Sequence, residues 1–338
     1  SGAIGEDGVN LAIATDLPGN LKDYDLPEPK NATDLDLLGI CDLMVELVND
    51  AAGLLMLGCI FRSVFAEFKP CTVSLFLLGT TGTRKSAVLG VLMAFFGSRF
   101  NGFHLPDNWS STANALEKKA SLAKDAPFAI DDFVARGTLA DVNKSHYTAE
   151  RIFRSQGNQA GRDRLTSTTA LRGAYVPMGM IFASGEDTPR GHSLQARLLL
   201  MSITKGCVNL DALTELQRLG ADGQLAQLMA NFIQWSAIKA DDGVLKSMLQ
   251  DVEDGYKRDL SVEGHARSKD NLAQVMTGFG MLMRYAEDTE LLSEDSIKYL
   301  EQQIKAAALV QNALHSEADL NASDAVRFVK NLRSALSM

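Results

Sequence analysis

Residues Gly79-Thr80-Thr81-Gly82-Thr83-Arg84-Lys85-Ser86 have the types and spacing to grip a phosphate chain. A Gly/Thr-rich loop carries little Cβ bulk, so its backbone N–H groups can approach phosphate oxygens. The N-terminus of a following helix adds partial positive charge at the same place. Lys85 would neutralise the β- and γ-phosphates of ATP, and the Ser86 hydroxyl would hold Mg2+. The usual pattern has glycine directly before the lysine, where this chain has Arg84. Either the Arg84 side chain is directed away from the phosphates or the loop binds nucleotide less tightly. The plain alternative is an ordinary strand–turn–helix.

A second chemical element lies 46 residues beyond Lys85, where Ala126-Pro-Phe-Ala-Ile130 ends in Asp131-Asp132. Adjacent carboxylates at a buried strand tip are costly unless a cation is near. Mg2+ supplies that cation. Asp131 is the candidate Mg2+-side carboxylate, and Asp132 the candidate group that orients and activates the attacking water. A strand ending in a solvated acidic turn is the bland reading of the same residues. Met178–Ala183 is another apolar run with a polar tip, Ser184-Gly185-Glu186. Ser184 is a candidate γ-phosphate sensor there, with Glu186 as the second choice. Arg197 heads the apolar run Leu198–Ile203 and needs a partner. That partner is a nucleotide bound by a neighbouring subunit, which makes Arg197 an arginine finger, or a group within the chain.

The elements that must position these residues alternate. Val73–Leu78 reads as a strand, and Lys85-Ser86 opens a helix ending near Gly97. Ser110–Thr112 caps a helix over 113–123, with Trp109 before it as a packing residue. Strands at 126–130, 178–183 and 198–203 follow. This pattern predicts an α/β fold, a parallel sheet sandwiched by helices. Residues 1–35 read as an acidic, loosely packed arm, and 36–69 as one or two helices. The P-loop core spans 70–206. From 207 to 338 the chain reads as a helical lid, with helical spacing over 210–219, 224–239, 243–256, 268–285, 293–314 and 324–337.

Charge is unevenly placed. The chain has a net charge of −9, and residues 1–50 alone, with eleven Asp/Glu and two Lys, carry a net of −9. This argues against an openly basic, nucleic-acid-coating surface. The one sizeable positive stretch is 134–205, with ten Lys/Arg against five Asp/Glu. Lys144, Arg162, Arg164 and Arg172 in it are candidate phosphate contacts, to DNA or to a neighbour's nucleotide; a solvated loop balancing the acidic arm is the alternative. Cys41, Cys59, Cys71 and Cys207 stand far apart without a CxxC, as expected of reduced, buried thiols in a cytoplasmic protein. The apolar run Ala51–Ile60 is too short to span a bilayer, so no membrane partner is expected.

The order of P-loop strand, acidic-tipped strand, basic insertion, polar-tipped strand, Arg-led strand and helical module resembles a ring-forming AAA+ ATPase. More narrowly it resembles the helicase-like module beside primases in phage and mobile-element replication proteins, related in layout to MCM and superfamily III helicases. The likeness covers about residues 70–338. It rests on Gly79–Ser86, Trp109-Ser-Ser-Thr, Ile130-Asp-Asp-Phe, the Gly157–Arg164 turn with its arginines, Ser184-Gly-Glu and Ser193-Leu-Gln-Ala-Arg197. The resemblance implies ATP-driven unwinding or translocation on DNA by a hexameric homo-oligomer, with single-stranded DNA in a central pore contacted by the basic insertion. It makes the 207–338 module a lid and Arg267 a possible second sensor. Primase or winged-helix domains would lie outside these residues. The departures are Arg84 and the Asp at position 132, where the family pattern has Glu. A monomeric, non-motor P-loop protein, kinase-like or a regulatory scaffold, is the competing reading.

Overall fold

The computed structural model describes residues 3–10, 12–13, 16–30, 35–161, 163–165, 171–260 and 266–322. A short hairpin, β1 (Ala3–Gly5) and β2 (Gly8–Asn10), opens the chain. Two helices follow, α1 (Leu37–Leu47) and α2 (Ala52–Ser63). The core then runs β3 (Ser74–Leu78), α3 (Lys85–Ala94), β4 (Asp107–Asn108), α4 (Ala113–Leu122), β5 (Phe128–Phe133) and α5 (Leu139–Asn158). A small hairpin, β6 (Arg164–Leu165) and β7 (Leu171–Arg172), precedes β8 (Ile181–Gly185), α6 (His192–Gln195) and β9 (Leu198–Ser202). Five helices close the described chain: α7 (Leu210–Ala221), α8 (Gln224–Asp241), α9 (Leu245–Asp259), α10 (Ala266–Asp288) and α11 (Glu294–Ala322). The predicted helix over 324–337 lies outside the described residues.

The central sheet has five strands in the order β4-β5-β8-β3-β9, and every neighbouring pair is parallel. Strand alternation divides its side chains between two cores. Leu75 and Leu77 of β3 and Ala129 of β5 face a large core shared with α1, α2, α3 and α7–α10. Phe76, Phe128 and Ile130 face a smaller core with Leu116 of α4 and Ile152 and Phe153 of α5. The sheet is thus sandwiched by helices, as its sequence pattern predicts. The order also places β8 between β3 and β5, so the Ser184 tip stands between the P-loop and the two aspartates.

Two features differ from the sequence reading. Helices α1 and α2 are continuous with the C-terminal helices in one core. At the α2–α10 crossing a Cβ on Gly278 would collide with the Gly58 carbonyl and the Arg62 backbone nitrogen, so only glycine permits that approach. The described part of the N-terminal arm is also firmly packed, not loose. Leu21 is buried in the smaller core. The Tyr24 hydroxyl donates to Pro127 O at 2.6 Å, Asp25 N–H donates to Phe96 O at 3.0 Å, and Lys30 N–H donates to Asn231 Oδ1 at 2.8 Å. A polar composition lowers the apolar yield of a segment but leaves its backbone free to bond a folded surface.

Candidate active site

The C-terminal ends of β3, β5 and β8 meet at one edge of the sheet, the usual place for ligands in open parallel sheets. The loop leaving β3 turns at Gly82, with φ of 83°, and passes Arg84 before α3 begins. Arg84 is left-handed, with φ of 73° and ψ of 13°. That conformation explains why glycine suits the position. Arg84 is exposed, and the residue lines the cleft above the loop.

Lys85 is 8% exposed, and its ammonium donates to Thr80 O at 2.9 Å. It forms no ion pair among the described residues. A buried ammonium with only a carbonyl partner is under-compensated and favours an anion in the cleft beside it. Thr83 braces the loop from within, its hydroxyl donating to Thr80 O at 2.9 Å. Gly79 N–H donates to Gly185 O at 3.0 Å and ties the loop to β8.

Asp131 is the hub. Its Oδ1 accepts from the Ser86 hydroxyl at 3.1 Å and also from the Ser184 hydroxyl. Ser184 is buried and in turn accepts from Asp132 N–H at 3.2 Å. The β5–β8 register slips between Ile130 and Phe133, and Asp132 takes a φ of 65° inside that bulge. A bulge re-aims side chains, and here it leaves Asp132 exposed at the cleft while Asp131 stays half-buried against Ser86. Aspartate tolerates the left-handed region better than most residues.

Glu186 also lines the cleft. It accepts from the Thr81 hydroxyl and pairs with Arg136. The Thr81 bond, then the Arg136 and Lys85 charges, hold its carboxyl below the ordinary range. Glu186 was only a second choice in the sequence, and Arg136 carried no signal except its place after the acidic strand. Trp109 packs edge-on against Phe133, with centroids 5.4 Å apart, and does not line the cleft.

The whole cleft, about 450 Å3, runs from Asp132, Ser184 and Glu186 across the loop to Ala87, Phe103 and Gln217 of α7. Its residues fit Mg2+ and ATP. Among the described residues no group of three or more His, Cys, Asp or Glu could hold a metal by itself. One carboxylate and one hydroxyl, completed by substrate phosphates and water, is the manner in which Mg2+ is usually held.

Arg197 lies elsewhere. It precedes β9, and its carbonyl accepts from Ser74 N–H at the start of β3. It therefore stands at the opposite sheet edge, about 17 Å from the loop for a five-residue strand. The side chain is 7% exposed and donates to Ser193 O, to Ser193 Oγ at 2.9 Å and to Asn158 Oδ1 at 2.7 Å. All three acceptors are neutral. Arg267 lines the same 300 Å3 cleft as Arg197 and not the P-loop cleft, so within one chain it does not reach back to the nucleotide position.

The basic insertion is partly helix. Lys144 is exposed on α5, and that helix runs through Gly157 and Asn158, where the sequence suggests a turn. Arg164 and Arg172 are register partners across the β6–β7 hairpin. Arg162 lies outside the described residues. The four cysteines are free and buried, and burial pushes the Cys41 thiol up to about 12. No helix among the described residues is long and apolar enough to cross a membrane.

No protein-family model and no curated protein sequence matches the chain. Among solved structures it is similar to the SCCmec type IV Cch active helicase, at 17% identity and a TM-score of 0.50, over 89% of this chain and 56% of that one. The chain thus spans little more than half the length of that relative. The JCV helicase (12% identity, TM-score 0.34, covering 71% of this chain and 65% of that one) and the NrS-1 C-terminal region (11%, 0.34, 85% and 70%) are more distant and add no support. The first likeness shows the fold: a P-loop α/β sheet with C-terminal helices, shared with a helicase structure.

Proposed function

We propose that this chain is the ATP-hydrolysing module of a ring-forming replicative DNA helicase or translocase of a phage or mobile genetic element. The observation that carries the reading is the Ser86–Asp131–Ser184 hub beside the under-compensated Lys85 ammonium. Lys85 and the loop amides hold the phosphates. Ser86 and Asp131 hold Mg2+, which when bound would neutralise charge on the phosphate oxygens. Asp132, exposed at the cleft on its bulge, accepts a proton from the attacking water. Ser184 fixes the Asp131 carboxylate, and its hydroxyl is already committed to that bond.

The ring reading draws on distance. Arg197 cannot reach its own P-loop across the sheet, so any role in hydrolysis is toward a neighbour's nucleotide, with Arg267 beside it in the same cleft. The 36–69 helices and the helices after residue 207 form the frame from which α7 reaches the cleft as part of a lid. Lys144 and the Arg164–Arg172 hairpin are the proposed contacts to single-stranded DNA in a central pore. The fold shared with the Cch helicase structure supports this reading.

A second reading, a monomeric nucleotide-binding protein, draws on the neutral intrachain partners of Arg197. ATP hydrolysis measured across protein concentrations, with and without single-stranded DNA and alongside Lys85→Ala, separates the two. Turnover per subunit that climbs with concentration and again with DNA supports the ring. Turnover flat in both supports the monomer, and unchanged turnover in Lys85→Ala removes both.

A further inference from the structure

The cleft has an end that phosphate chemistry does not use. Asp132, Ser184 and Glu186 line one end, where a cleaved γ-phosphate and its water belong. Ser86 and Ala87 begin α3 in the middle. Beyond them the turn Asn101–His104 lies along α3: a Cβ on Gly102 would stand 3.0 Å from Ala87 Cα and 3.2 Å from Ser86 O. A Cβ on Gly90 of α3 would stand 2.4 Å from Asn101 C and Gly102 N, so glycine there lets the turn sit this close. The residue it projects is Phe103, which lines the cleft and is 105% exposed, the most exposed large apolar side chain among the described residues.

An apolar ring so fully in water on a mobile tip would need no explanation, but this turn is fixed. Asn101 N–H donates to His104 O at 3.2 Å and His104 N–H to Asn101 O at 3.0 Å. Phe103 N–H donates to Asn101 Oδ1 at 2.9 Å. His104 Nε2 meets the buried Asp23 carboxylate at 2.6 Å, which also pairs with Arg99 at 3.1 Å. The N-terminal arm therefore straps the turn down and holds the ring out. Gln217 shares this end of the cleft; it comes from α7, which packs on α3 where Gly220 meets Ala94. Its side chain is exposed, with an amide that both donates and accepts.

We propose that this end is the nucleobase subsite: Phe103 stacks on the base of the bound nucleotide and the Gln217 amide reads its edge. The inference rests on the P-loop reading above and extends it to the other half of the ligand. A nucleotide whose γ-phosphate faces Asp132 must run its ribose over the start of α3, and Phe103 is the only aromatic residue lining the cleft among the described residues. Any base offers a π-face, so the ring supplies affinity, and the amide supplies the choice between bases.

Binding of Mg2+-ATP, Mg2+-GTP and inorganic tripolyphosphate to the whole chain tests this. Phe103→Ala should weaken ATP by about 5- to 100-fold and leave tripolyphosphate within about twofold, while Phe103→Trp restores ATP. Gln217→Ala should shift the ATP-to-GTP ratio and spare tripolyphosphate. Equal losses for ATP and tripolyphosphate in Phe103→Ala overturn the subsite, because the turn would then only brace the loop. Undiminished ATP binding in that variant overturns it too, while tripolyphosphate binding keeps the P-loop reading intact. A wild-type chain that binds neither ligand overturns the P-loop reading and the subsite with it.

Discussion

The two edges of the sheet are wired differently. At the C-terminal edge, Ser86, Asp131, Ser184 and Asp132 bond one another in a closed set drawn from one chain. At the N-terminal edge, Arg197 is buried among neutral oxygens, and its Nε finds no partner among the described residues. Burial, then Arg267 and Arg154, hold its guanidinium below the ordinary value. The first edge is complete apart from its ligand. The second sets Arg197 and Arg267 in a cleft that Lys257 and Asp270 also line, on the far side of the sheet from the chain's own nucleotide site. Under the proposed ring, that difference separates a site built within one chain from a group that would act on a neighbour's nucleotide.

The largest effect is expected at the self-contained edge. Lys85→Ala removes the buried ammonium, and hydrolysis should fall to background, a loss of at least about a thousandfold. Thermal unfolding should be unchanged or improved, because an under-compensated buried charge is lost. Steady-state ATPase assays with a melting curve check both. Retained turnover would break the reading of this edge.

The next effect is at the far edge. Arg197→Ala should lower turnover about a thousandfold while ATP affinity stays within about twofold. Mixing Arg197→Ala with Lys85→Ala subunits should restore part of the activity, because a composite site joins an intact P-loop to an intact arginine. Each variant is inactive alone, so recovery in the mixture has no source within one chain. No recovery, with both variants folded and assembled, would return the far edge to a structural role.

Legibility in the sequence follows the same division. Gly79–Ser86 and Asp131–Asp132 are contiguous runs at strand tips, so period and composition find them. The far cleft joins Thr72, Gly157 of α5 and Arg197 to Arg267 and Asn271 of α10, and only the fold brings them together. Helical spacing places one or two helices over 36–69 and locates α10 within a few residues, yet it reports an apolar face and not its partner. The shared core of those helices, and the Gly58–Gly278 crossing, therefore had no sequence signal. Glu186 was visible as a polar tip. Its bond to Thr81 and pairing with Arg136 span 105 and 50 residues and were not visible. Asp23 reads as one more acid of the arm until the fold sets it against His104.

A smaller effect sharpens the description of the hub. Ser184→Ala removes one of two hydroxyl donors to Asp131 and the acceptor for Asp132 N–H. A loss of about 1–1.5 kcal/mol in transition-state stabilisation, roughly tenfold in turnover, is expected from one buried hydrogen bond. If Ser184 contacted the γ-phosphate itself, the loss would reach the hundredfold or more typical of a direct donor. The size of the drop in kcat, at unchanged ATP affinity, distinguishes positioning from contact.

The smallest effect concerns Arg84, the one loop position that departs from the usual pattern. Its φ of 73° costs a non-glycine residue about 1–2 kcal/mol. Arg84→Gly relieves that strain but gives back about 0.5–1 kcal/mol in unfolded-state entropy. The net gain is up to about 1.5 kcal/mol, read as a rise of roughly 2–3 °C in Tm. Arg84→Ala keeps the strain and should gain nothing. Both variants remove the guanidinium that lines the cleft, so both should weaken ATP alike. If only the glycine variant changes stability while both lose affinity equally, the backbone carries the cost and the side chain contributes binding. If both variants bind ATP as the parent does, the arginine is a tolerated departure with no part in the site. Either result isolates a strained backbone from a charged side chain at the same residue.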